Sequence, residues 1–65
     1  MTEKEFRALL AVEGKTLKVE KLVAGSLYYI AVVLSIEDID YARYSIGTTP
    51  KSAVKKLIKE YYADN

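Results

Sequence analysis

The chain has 65 residues, 51% of them hydrophobic, and ten Lys/Arg against nine Asp/Glu leave a net charge of +1. That length holds one domain, the balanced charge argues for neither a polyanion nor an acidic partner, and the lack of Cys and His removes disulfides, thiolate metal sites and the usual general base at neutral pH. The longest apolar run, within residues 27–36, is about half a membrane span; no signal peptide is visible, so the expectation is a cytoplasmic domain with no membrane contact and no cofactor.

Thr2 followed by Glu5 has the spacing of a capping box. Glu3 and Glu5 favour the positive end of a helix dipole, and Glu3 pairs with Arg7 one turn on. Phe6, Leu9 and Leu10 share one side, and Gly14 suits the left-handed residue that ends a helix. This predicts a helix over 3–13. Thr16 to Leu22 alternates and reads as a strand with Leu17 and Val19 facing in. Val23–Ser26 is a turn. Residues 27–36, rich in β-branched and aromatic side chains, form the central strand. Glu37–Asp40 is a second turn, and Tyr41–Ile46 alternates again. Thr49 as N-cap and Pro50 in the first helical position open a last helix over 50–62, with Val54, Leu57, Ile58 and Tyr61 as its apolar stripe.

The fold expected is α+β: a three-stranded antiparallel meander with both helices packed on one face, in the order αβββα. If Val19 opposes Ile30, Leu17 opposes Val32, and the first loop has an even residue count. Ala42, Tyr44 and Ile46 then oppose Leu34, Val32 and Ile30, and the second loop is odd, spanning 37–39 or 36–40. In this register the inward row of the central strand is Tyr28, Ile30, Val32, Leu34 and Ile36. The core is then Phe6, Leu9, Leu10, Leu17, Val19, Ile30, Val32, Leu34, Ala42, Tyr44, Ile46, Val54, Leu57, Ile58 and Tyr61.

Parts for catalysis are scarce. The serines have no base to activate them. The acids of Glu37–Asp40 read as a solvated hairpin tip, since no glycine-centred calcium loop accompanies them. Gly47 before a helix resembles an anion-binding turn only weakly, and a glycine that ends a strand explains it as well. The open sheet face carries more information. On these registers Leu27, Tyr29, Val33, Tyr41 and Arg43 lie there, apolar in the middle and charged at the rim, as in a recognition patch for a protein partner or a second copy. The Tyr41–Ile46 edge offers backbone groups for strand addition. Lys51, Lys55 and Lys59, with Lys56 beside them, make a basic stripe on the last helix, suited to phosphates or simply a solvated face softened by Glu60 and Asp64.

The helix–three strands–helix order is similar to that of double-stranded-RNA-binding domains. Thr49–Pro50–Lys51–Ser52–Ala53–Val54 stands where that family opens its last helix with Ser-Lys-Lys-x-Ala-Lys; Lys51 and Ala53 match, and Pro50 and Val54 replace two lysines. This resemblance implies the αβββα topology and RNA contacts from the last helix. Tyr28–Leu34 followed by the Gly47–Ala53 turn also resembles HicB antitoxins through a Gly-x-Thr-x-x-x-Ala entry to a helix. Taken together, the expectation is a non-catalytic protein-interaction module: an inhibitor, antitoxin-like or adaptor protein of the kind phages and mobile elements encode. A nucleic-acid binder is the alternative.

Overall fold

The Thr2 hydroxyl accepts the Glu5 N–H at 3.2 Å, and the Glu5 carboxylate accepts the Thr2 N–H at 3.1 Å. This closed capping box starts α1, Glu3–Val12, in a computed structural model that describes residues 1–63. Gly14, at φ 72°, turns the chain out of the helix, and its carbonyl accepts the Ile36 N–H at 2.9 Å. The helix end is thereby tied to the far end of the central strand.

Three strands follow, β1 Lys15–Lys21, β2 Tyr29–Ser35 and β3 Ala42–Gly47, in the antiparallel order β1-β2-β3. Then α2, Pro50–Ala63, starts from a second reciprocal cap. Ser52 N–H donates to Thr49 Oγ1 at 3.0 Å, and Thr49 N–H donates to Ser52 Oγ at 3.1 Å, so Ser takes the place Glu holds in the first box. Helix α1 lies over β1, and α2 lies across β2 and β3 on the same face. The αβββα architecture is the one expected.

The pairing of β2 with β3 is also as expected: Ile30, Val32 and Leu34 face Ile46, Tyr44 and Ala42. Beyond Leu34 and Ala42 the connecting residues are 35–41, odd as anticipated but longer. Asp38 organises them, its carboxylate accepting the Asp40 N–H at 3.1 Å and its carbonyl accepting the Tyr41 N–H at 3.0 Å. The pairing of β1 with β2 differs by one residue. Leu17 opposes Val33 and Val19 opposes Ala31, so the first loop is odd, not even. Its turn places Gly25 at φ 81°, a backbone conformation that glycine adopts without strain.

A one-residue slip moves every side chain of a strand to the other face. Leu17 and Val19 still face the helices, but Ala31, Val33 and Ser45 join them there, and Ile30, Val32, Leu34, Ala42, Tyr44 and Ile46 leave the core. Ala53 joins the core and Leu9 is half exposed. The cause is size rather than hydrophobicity. Both rows of β2 are apolar, so β2 itself does not choose. Helix α2 chooses, because it approaches the sheet closely through Ala31, Ser45, Gly47 and Ala53. A Cβ on Gly47 would sit 2.5 Å from Ser52 Oγ and 2.6 Å from the Ala53 nitrogen. The row bearing Tyr44 and Ile46 has no such space beneath a helix.

Candidate interaction surface

The outward row of each strand builds the open face in rungs. Register places Thr16, Leu34 and Ala42 on one rung, Lys18, Val32 and Tyr44 on the next, and Glu20, Ile30 and Ile46 on the third. The Leu22 N–H donates to the Tyr28 carbonyl at 3.0 Å, which extends the ladder to a fourth rung. Neither helix covers this face. Tyr44 is 60% exposed and Tyr28 52%, while Ile30, Val32, Leu34 and Ile46 are half-buried. At the β1 rim Lys18 Nζ lies 3.9 Å from Glu20 Oε2. The result is an apolar centre with one charged border.

Of the residues expected on the open face, Leu27 is exposed in the loop before β2. The other four lie elsewhere. Val33 is fully buried under the helices, and Tyr29 and Tyr41 pack against the core. Arg43 turns to the same side, its guanidinium carbon 5.6 Å from the centre of the Tyr61 ring. The expectation of an open apolar face therefore stands with a different membership, for the reason given by the β1 register. Alternation in β1 alone fixed which side Leu17 takes; nothing in β2 carried that choice across.

Helix α2 presents Lys51, Lys55, Lys56 and Lys59 to solvent, on the side turned away from the sheet. Among the described residues none of the four pairs with a carboxylate. Glu60 instead accepts the Ser45 hydroxyl at 2.6 Å, and Asp64 lies outside the described residues. Lys51 and Lys55 border an open groove of about 650 Å³ floored by Val54 and Ile58 and closed at one side by Met1, Thr2 and Glu3.

Sequence reasoning missed a polar cluster where the two helices end. Lys15 Nζ donates to Tyr61 Oη at 3.2 Å, Tyr61 Oη donates to Glu13 Oε2 at 3.1 Å, and the ammonium stands 4.5 Å over the Tyr41 ring. The Tyr61 hydroxyl holds the Lys15 ammonium above its ordinary range, and burial raises the Tyr61 phenol. The cluster ties α1, β1 and α2 together, and each of its polar groups already has a partner. A further contact protects one sheet edge: Arg7 Nη1 donates to the Leu17 carbonyl of β1 at 2.7 Å, leaving β3 as the barer border. No protein-family model matches the chain, and neither a curated protein nor a solved structure matches it.

Proposed function

We propose that the chain is a small non-catalytic protein-interaction module, an inhibitor, antitoxin-like or adaptor protein of the cytoplasm, that binds through its open sheet face. The observation that carries this reading is the uncovered apolar centre, Ile30, Val32, Leu34, Tyr44 and Ile46, on a domain whose two helices are both spent on the opposite face. Burial of such a centre inside a polar rim is how protein interfaces gain their affinity. A chain with neither His nor Cys has little else to work with.

Val32→Asp places a charge in the middle of this face without touching the core. In a pull-down from the native host, proteins retained by the wild type are expected to be lost with Val32→Asp and kept with Lys55→Glu/Lys59→Glu. Equal retention by wild type and Val32→Asp overturns the reading. Circular dichroism reports whether the variant is folded, and Val32→Ser gives a milder version of the same test.

One observation favours a second reading. The four exposed lysines of α2 carry no carboxylate partner among the described residues, and the helix–three strands–helix order resembles that of double-stranded-RNA-binding domains. A nucleic-acid binder using Lys51, Lys55, Lys56 and Lys59 has a distinct signature, an affinity that falls steeply with salt.

A further inference from the structure

We propose that the occupant of the open face is a second copy of this chain, docked face to face about a two-fold axis that crosses the strands between the level of Lys18 and the level of Glu20. This rests on the reading that the open face is the interaction surface, and it adds the partner and the geometry.

The four rungs make the face self-complementary about its own midline. An axis at right angles to the strands, halfway along the ladder, lays the second rung on the third of the other copy and the first on the fourth. Lys18 then meets Glu20 of the second copy, and Glu20 meets its Lys18, so four charges alternate around the β1 border. In the middle Val32 lies on Ile30, and Leu34 on Tyr28.

Other two-fold arrangements are worse. Centring the axis on the Lys18 level sets the two Lys18 ammonium groups against each other. Running it along β2 lays β1 on β3, which presses Lys18 and Glu20 onto Tyr44 and Ile46 and desolvates their ion pair against apolar side chains. Of these arrangements only the first sets Lys18 against Glu20 while the apolar side chains of β2 meet one another.

Size sets the strength. With strands about 4.8 Å and rungs about 6.7 Å apart, β1 and β2 over four rungs and β3 over three give a footprint of about 350 Å² per copy. With side-chain relief the two copies together bury on the order of 1,000 Å², the lower bound for a specific interface, which corresponds to a weak, concentration-dependent dimer. Aligned sheets stack about 10 Å apart with strands within about 30°, a distance that Lys and Glu side chains span at the border.

The test uses sedimentation velocity of the full chain across a concentration series. Wild type is expected to show a monomer–dimer equilibrium in the micromolar range. Lys18→Glu alone and Glu20→Lys alone are each expected to weaken it about tenfold, because each sets two like-charge pairs across the axis. An equimolar mixture of the two variants is expected to recover the wild-type equilibrium as a heterodimer, since the acids of one chain then face the lysines of the other. A mixture no tighter than its components overturns the proposal. A wild type that stays monomeric overturns it too, but leaves the open-face reading standing as long as Val32→Asp still loses captured proteins. A dimer indifferent to Val32→Asp overturns it as well, because the copies then meet elsewhere, such as along the β3 edge; the open-face reading falls with it only if Val32→Asp also keeps the captured proteins.

Discussion

Gly47 stands at the closest approach of helix and sheet. Its φ is not in the left-handed region, so backbone freedom is not why glycine is needed there; a Cβ would strike Ser52 Oγ at 2.5 Å and the Ala53 backbone at 2.6 Å. The hydroxyl can rotate away, but the backbone nitrogen can move only if α2 moves. Gly47→Ala is therefore expected to cost about 1–3 kcal/mol, seen in thermal denaturation as a fall of about 4–8 °C per kcal/mol. Tyr44→Ser, on the uncovered row of the same strand, is expected to stay within about 0.5 kcal/mol. The reverse ranking would mean that the helices cover the other face. This residue also shows what the sequence could not disclose. Gly47 reads as a strand end whichever face is covered, and Ala31 and Ser45 look like poor core residues beside Ile30 and Tyr44. Hydrophobicity points to the larger row; the close approach of α2 selects the smaller one, and that approach includes packing on β2, which lies well upstream in the chain.

At the scale of the elements, the helix ends were legible because their signals are local. Thr2 with Glu5, Gly14, and Thr49 with Pro50 each act within a few residues, and each does in the fold what its spacing implied. The joint between helix ends was not legible, because Lys15 and Tyr61 meet across 46 positions. That joint has a pH signature. The Lys15 ammonium is raised above its ordinary 10.5, first by the Tyr61 hydroxyl, so the folded chain holds a proton that the unfolded chain releases. Its contribution is fully present below pH 10.5 and is lost as pH rises through the folded value. Burial raises Tyr61 above its ordinary 10.0, and by the same linkage the folded state resists ionisation that the unfolded state allows. Both groups make stability fall on the alkaline side. Tyr61→Phe keeps the ring that meets Phe6 edge-on at 5.4 Å and removes the hydroxyl. Urea midpoints measured between about pH 8 and about pH 11 are expected to decline less steeply in that variant than in wild type; an unchanged decline would assign the alkaline loss to other groups. Glu5 runs the opposite way: the Thr2 N–H holds its carboxyl below the ordinary 4.5, so the first cap weakens as pH falls through that region.

For the whole molecule, the decisive fact is that the two candidate surfaces lie back to back. The apolar rungs face outward from one side of the sheet, and the lysines of α2 face outward from the helix layer on the other. Charge reversal on one surface therefore leaves the other intact, and the two functional readings can be separated in one protein. If α2 tracks phosphates with Lys51, Lys55, Lys56 and Lys59, releasing the counterions of about four phosphates gives a slope of roughly −3 to −4 in log affinity against log salt on a duplex. Lys55→Glu/Lys59→Glu is then expected to flatten that slope by about two, and Val32→Asp to leave it unchanged. The measurement is a shift assay with short duplex RNA and DNA at two salt concentrations. A protein-interaction module predicts the converse, no shift even at low salt and a loss of association confined to Val32→Asp. An RNA shift that disappears with Val32→Asp but survives Lys55→Glu/Lys59→Glu would contradict both readings, since it would put nucleic acid on the face that has almost no cation to hold it. Lys18 is the only cation on the central rungs, and Glu20 stands 3.9 Å from it.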